Sequence, residues 1–253
     1  MNTSDYLLQS DIDENAPVLI TAKEEFSYRD LKRATLSLVE ALLITGLLPG
    51  DPIGILGRNS LFWVASYLAI MKIGAIAVPF ATKLPKNELS EQIKQTGCKA
   101  LCVEKLLRKR YTSAFPTSLG LVDEKALEKQ INGELPVTSP DFNEDQDAAW
   151  MLTSGTTGKP HIVRVTHRNI QANTASILQY LELNRRERIM AILPFYYCFG
   201  TSLLHTHLRV GGSLVLGDAI VFPEKVLDLM EEKACTGFAG VPTTFQIYLR
   251  NST

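Results

Sequence analysis

The residues most able to do chemistry lie together at Thr153-Ser154-Gly155-Thr156-Thr157-Gly158, followed by Lys159. Glycines let successive backbone N–H groups turn toward one point, and such a concave nest of donors holds an anion. The hydroxyls add donors that can wrap phosphate oxygens or sit on a magnesium ion, and Lys159 adds a point charge. That chemistry is the binding of a polyphosphate. The same composition also suits a plain Ser/Thr/Gly surface loop joining a strand to a hairpin. Two familiar phosphate patterns do not fit. A P-loop needs glycine, four residues, then Gly-Lys-Ser/Thr, whereas here Gly155 is two residues from Gly158-Lys159 and Pro160 follows. No G-x-G-x-x-G is present either.

Elements to position this stretch can be read on both sides. Ala148-Ala149-Trp150-Met151 reads as the strand that delivers it, and Ile162, Val163 and Val165 as a short β-branched run leaving it. A helix over 169–181 follows, with Thr166 or Asn169 near its cap. Upstream, strands are expected at 18–20, 52–57, 75–80 and 100–103. The helices between them start at Phe26-Ser27, with Asp30 as capping-box acid, at 60–72 and at 85–96. Such alternation predicts an α/β fold with mostly parallel sheets flanked by helices. The apolar run 61–80 is long enough for a membrane span, but Lys72, Gly74 and Pro79 break it into a buried helix and a strand. Residues 104–147 lose the pattern and read as a variable surface segment.

A second cluster follows. Leu193-Pro-Phe-Tyr-Tyr-Cys-Phe-Gly200 crowds aromatics beside the end of a strand expected at 189–193. Open α/β sheets place ligands at such ends, although core aromatics look the same in sequence. Residues 211–216 read as a turn into a strand and 223–233 as a helix. Phe238-Ala-Gly-Val-Pro242 reads as a strand ending at glycine, with Pro242 opening a helix.

Composition bounds the rest. The chain has 253 residues, 45% hydrophobic and 21% charged, with a net charge of -1. This suits a globular protein of one or two domains and supplies no basic field for nucleic acid. The densest basic run, Lys105 to Arg110, reads as a solvated helix face. Cys98, Cys102, Cys198 and Cys235 lack metal or disulfide spacing and read as free buried thiols of a reducing compartment. His205-Thr206-His207 has no second ligand pair and reads as part of a core element. The acidic start lacks the basic residues and apolar block of a signal peptide, so a cytoplasmic location is expected, with no transmembrane segment.

The stretch from Leu152 to Asn169 resembles the signature loop of the adenylate-forming, AMP-binding superfamily: acyl- and aryl-CoA synthetases, peptide-synthetase adenylation domains and luciferases. Their form is T-S-G-T-T-G-x-P-K-G-V, then S/T-H-x-N. Thr153 to Gly158, Pro160, Val163 and Thr166-His167-x-Asn169 match it. His161 stands where the family has lysine, and Ile162 where it has glycine. Four upstream pieces resemble the family's N-terminal pattern in order: 26–31, 48–51, 57–60 and 72–79. Leu193 to Gly200 is similar to the family's L-P-L-F-H-x-x-G segment, with Tyr197 replacing the histidine, and 238–245 to its G-V-P-T segment.

The resemblance implies a partial N-terminal domain, 1–253, divided at about 16–147 and 148–253. It implies a ligase that converts a small-molecule carboxylic acid and ATP to acyl-AMP and pyrophosphate. A thioester then forms with coenzyme A or a carrier-protein pantetheine. ATP, Mg2+ and coenzyme A are the implied cofactors. Thr153, Ser154, Thr156, Thr157 and Lys159 would contact the β- and γ-phosphates, with Gly155 and Gly158 shaping the backbone. Tyr197, Phe199 and Val241 would line the acid site. Amino-acid-activating members carry an aspartate near the second cluster, and no acid occurs between Leu193 and Val215, which disfavours an α-amino acid. The family's AMP-contacting tyrosine–glutamate segment, ribose aspartate, small C-terminal domain and catalytic lysine are not found in residues 1–253. The expectation is therefore a truncated chain, inactive by itself. The alternatives are a non-catalytic nucleotide- or acyl-binding relative and a protein-interaction module.

Overall fold

The structure, a computed structural model, describes residues 1–8, 11–129, 142–153, 160–217 and 223–251. From the N-terminus come α1 (Thr3–Leu7), β1 (Pro17–Ile20), β2 (Glu25–Ser27) and α2 (Tyr28–Leu43). Then follow β3 (Pro52–Leu56), α3 (Leu61–Lys72), β4 (Ile76–Pro79), α4 (Lys86–Thr96), β5 (Ala100–Val103) and α5 (Lys105–Tyr111). After β6 (Gly120–Val122) come the hairpin strands β7 (Asp147–Thr153) and β8 (His161–Thr166), and α6 (His167–Leu181). The last part is β9 (Arg188–Ala191), α7 (Cys198–Val210), β10 (Ser213–Leu216), α8 (Pro223–Glu232), β11 (Gly237–Phe238) and α9 (Pro242–Asn251).

The chain divides into two compact units, Met1–Tyr6 with Asp30–Ala172, and Leu7–Arg29 with Asn173–Thr253. The observed boundary therefore falls inside α6, not near residue 147, and an early segment belongs with the late half. Each unit has its own sheet. In the first the order is β6-β5-β3-β4-β7-β8, parallel except for the antiparallel β7–β8 pair. In the second it is β11-β9-β10-β1-β2, parallel except for β1–β2.

Burial explains why these segments become parallel strands. β4, β5 and β10 are buried at every position, as a sheet covered on both faces requires. In the first unit Leu56, Val78, Leu101 and Val103 pack with Leu89 and Ile93 of α4, and Trp150 and Leu152 of β7 lean on that core. In the second, Ile20, Met190, Val215 and Val226 form the core with Tyr248 of α9. α3 is buried from Phe62 to Met71 and starts at Ser60, whose hydroxyl accepts from the Trp63 N–H at 3.2 Å. Its last residue, Lys72, forms a part-buried ion pair with Asp5. No helix among the described residues is long and apolar enough to cross a membrane.

Four details differ from the sequence reading. Glu25–Ser27 is a strand, so α2 begins only at Tyr28. Within 104–147, read as a variable surface segment, the basic run forms the expected helix as α5, but Gly120–Val122 adds an unexpected strand, β6, paired with β5. The first eight residues, given no element in the sequence reading, hold α1, with Asn2, Thr3 and Ser4 buried. Cys198 is exposed, not buried, while Cys102 is buried.

Candidate functional site

The stem of the hydroxyl-rich stretch is a regular antiparallel ladder in which Trp150 faces Arg164, Leu152 faces Ile162 and Thr153 faces His161. Of the expected phosphate-contacting residues, Thr153 is exposed at the tip of β7. Ser154, Gly155, Thr156, Thr157, Gly158 and Lys159 lie outside the described residues. β7 runs parallel to β4, so Thr153 stands at the carboxyl end of a parallel strand. Polar contacts secure this stem. The Asp147 carboxylate, buried, accepts from Trp150 Nε1 at 2.7 Å and from Arg164 Nε at 2.6 Å. On the exit side, Gln95 Nε2 of α4 donates to the Pro160 carbonyl at 2.9 Å.

The T-H-x-N residues act as structure. Asn169 N–H donates to Thr166 Oγ1 and Thr166 N–H to Asn169 Oδ1, both at 3.1 Å. This reciprocal pair satisfies two donors at the start of α6 in the manner of a capping box. His167 is buried, and its Nδ1 accepts from the Thr3 N–H at 3.0 Å. Burial pushes its pKa down to about 4; the Met1 ammonium adds to the shift, and the carboxylates of Glu144 and Asp147 oppose it. A neutral imidazole is what an acceptor at Nδ1 requires.

The aromatic cluster divides in two. Phe195 is fully buried, whereas Tyr197 and Phe199 are 56% and 42% exposed, which separates core from candidate pocket. Tyr197 precedes the first turn of α7, and its ring lies 4.7 Å from that of Tyr196. Gly200 lets α7 start close to the preceding turn, because a Cβ there would meet the Pro194 carbonyl oxygen at 2.2 Å. Val241 is 39% exposed just before α9, and its N–H donates to Thr244 Oγ1. β9 and β11 are parallel neighbours, so Tyr197, Phe199 and Val241 follow the carboxyl ends of adjacent strands. Further along α7, His205 and His207 are buried, and His207 Nδ1 donates to the Leu203 carbonyl at 2.9 Å. Burial pushes His205 down to about 3. Among the described residues there is no group of three or more His, Cys, Asp or Glu placed to hold a metal ion.

A family model described as AMP-binding enzyme matches residues 9–253. The chain belongs to the AMP-binding enzyme family. Among its relatives, a feruloyl-CoA synthase of Amycolatopsis sp is 28% identical over 227 residues, covering 87% of this chain and 44% of the relative. Tyrocidine synthase 3 of Brevibacillus parabrevis is 26% identical over 249 residues, covering 97% of this chain and 4% of that protein. The chain thus spans less than half the length of these curated relatives. The N-terminal domain of FACL13 from Mycobacterium tuberculosis superposes with a TM-score of 0.90 at 20% identity, covering 99% of this chain and 65% of that one. ATP-bound MatB from Rhodopseudomonas palustris gives 0.84 at 23% identity, covering 100% of this chain and 52% of that one. At such identity these two likenesses establish the fold: parallel sheets flanked by helices, as in the N-terminal domains of adenylate-forming enzymes.

Within this AMP-binding chain, sequence reasoning found the stem and the aromatic run but not their supports. Gln95 is 65 residues from its partner carbonyl. Elsewhere in the first sheet, Arg58 and Glu104, which follow β3 and β5, are joined through Arg58 Nη2 at 2.5 Å and Arg58 Nε at 3.0 Å. No local spacing signals either contact.

Proposed function

We propose that this AMP-binding chain is the N-terminal portion of an ATP-dependent acid–thiol ligase. The proposed reaction joins a carboxylate to the α-phosphorus of ATP, releasing pyrophosphate, and a thiol of coenzyme A or a carrier pantetheine then displaces AMP. The observation that carries this reading is the T-S-G-T-T-G stretch, flanked by Thr153 at its start and His161 three residues past its end, which are paired in one ladder at the carboxyl end of a parallel strand. A stretch closed at its base in this way fits the nest of donors that a polyphosphate needs. Thr153, Ser154, Thr156, Thr157 and Lys159 would hold the β- and γ-phosphates, and Gly155 and Gly158 the backbone shape. Magnesium, when bound with the nucleotide, would neutralise phosphate charge and lower the cost of bringing one anion to another. Tyr197, Phe199 and Val241 would receive the carboxylic acid; their exposure beyond neighbouring strands supports that role. By itself the chain would bind rather than turn over.

One observation favours a second reading, a non-catalytic nucleotide- or acyl-binding relative. His161, in the place of the family's lysine, is exposed at the head of β8. Two measurements separate the readings. Isothermal titration with Mg-ATP should show binding that a Ser154→Ala/Thr157→Ala pair weakens by about tenfold or more, the scale of a few lost charge-assisted bonds. Unchanged affinity in the pair removes the stretch from the reading. ATP–pyrophosphate exchange with fatty, aryl and short-chain acids, by a chain that carries this segment, excludes the non-catalytic reading.

A further inference from the structure

The second unit carries a cleft of about 830 Å³ at the end of its sheet away from Tyr197, Phe199 and Val241. That size is within the range of small-molecule sites. β9, β10 and β1 are parallel neighbours, and the segment ahead of each supplies a wall. Asn184 and Arg185 precede β9, Val210 and Gly211 precede β10, and Asp11 and Asp13 precede β1. The walls are held by local bonds. Asp13 Oδ1 accepts from the Asn15 N–H at 2.9 Å, and the Asn184 amide donates to the Glu187 carboxylate at 3.0 Å. Gly211 ends α7 in the left-handed conformation at φ 75°. A Cβ there would lie 3.6 Å from the Ile12 side chain and 3.7 Å from Arg185 Cβ, so the three walls meet at this glycine.

The lining carries two aspartates, Asp11 and Asp13, and two arginines, Arg185 and Arg209. Arg185 and Asp11 are exposed, and neither has a side-chain partner among the described residues. The last turns of α6 and α7 reach the cleft through Leu178 and Arg209, and helix carboxyl ends carry partial negative charge. A dianion would therefore meet two carboxylates and two helix ends, and a polycation would meet two guanidinium groups. An uncharged ligand would strip water from all four charges without replacing it. A molecule with one charge of each sign satisfies both sets, and Ile12, Leu178 and Val210 give its carbon body an apolar surface. We propose that this cleft binds a small zwitterion, with its ammonium toward Asp11 and Asp13 and its carboxylate toward Arg185 and Arg209. It is a second site, separate from the proposed acid site, because it lies at the amino ends of the strands.

The test titrates the chain calorimetrically with 6-aminohexanoate, hexylamine and hexanoate, which share one carbon length and differ in charge. The zwitterion should bind at least about tenfold more tightly than either singly charged probe, the scale of one added charge-assisted contact. It should slow amide hydrogen exchange at 11–16 and 209–212 and leave 196–200 as it was. Arg185→Gln should bring the zwitterion down to the affinity of hexylamine and leave hexylamine itself unaltered. Asp11→Asn with Asp13→Asn should bring it down to hexanoate, and Asn at 13 keeps an oxygen for the Asn15 N–H. Melting temperatures should stay as they were, since these side chains are exposed. Equal affinity for the zwitterion and a singly charged probe overturns dipolar recognition. Protection confined to 196–200 assigns the binding to the acid site and overturns the cleft. No binding of any probe up to about 10 mM, weaker than about 3 kcal/mol, overturns the site altogether.

Discussion

The tip of β7 and the start of α7 both follow the carboxyl ends of parallel strands, yet they are built on different principles. The stem at β7 is braced by polar contacts: Asp147 with Trp150 and Arg164, the reciprocal cap of Thr166 and Asn169, and Gln95 on Pro160. The aromatic end is held by backbone closeness. Gly200 sits against the Pro194 carbonyl, Thr244 receives the Val241 N–H, and Tyr197 and Phe199 extend outward. Under the proposed function, the difference suits two kinds of ligand. Charge is held by dipoles fixed in advance, so its support must be specific. An apolar group is held by area and shape, so exposed side chains can vary there while the backbone below stays constant.

The largest effect should come from the backbone of the aromatic end. Gly200→Ala places a methyl group on the Pro194 carbonyl oxygen and the Leu193 carbonyl behind it. A clash with backbone cannot be relieved by a rotamer change, so a loss of about 3 kcal/mol or more is expected in thermal melts. A wild-type melting curve would mean that α7 is not held this closely.

At the stem, Asp147→Ala leaves the Trp150 indole N–H without its acceptor and frees Arg164. The expected cost is about 2 kcal/mol, mostly from the orphaned indole. Near-ultraviolet circular dichroism of the tryptophans would report it directly. A loss under half that size would show that the brace is dispensable.

Protonation gives a smaller handle on the same stem. His167 titrates at about 4 when folded, below the ordinary 6.5, so the unfolded chain takes up the proton first. Its contribution to stability is complete above about pH 6.5 and is lost as the pH falls toward 4. His205, at about 3, acts in the same direction in the second unit. Near pH 5.5, His167→Gln should make the slope of stability against pH shallower by about one proton. An unaltered slope would place the imidazole in contact with water.

Least should happen to stability in Tyr197→Ala. The side chain is 56% exposed, and a change within about 0.5 kcal/mol is expected. If Tyr197 lines the acid site, affinity for a carboxylic acid should nonetheless shift. Lost stability with unchanged acid binding would make it a packing residue like Phe195.

The elements were largely legible because their periodicity and breakers are local. Ser60 ahead of an apolar helix, Gly97 behind α4 and Pro242 opening α9 all appear where the chain announces them. Glu25–Ser27 and Gly120–Val122 were not legible as strands. Each has only three residues, and its identity comes from a neighbour it pairs with, β1 or β5. In the signature stretch, T-H-x-N gave no hint that its histidine would be buried against Thr3, because that contact spans 164 residues.

From its sequence alone, this protein is an α/β member of the AMP-binding family with a hydroxyl-and-glycine loop after Trp150, since those features depend on residues close together in the chain. Tertiary structure alone decided that Leu7–Arg29 joins the late half, that Tyr197 is exposed while Phe195 is core, and that Gln95 reaches Pro160. Strand pairing and helix packing choose among many distant partners, and no local pattern encodes which of them wins.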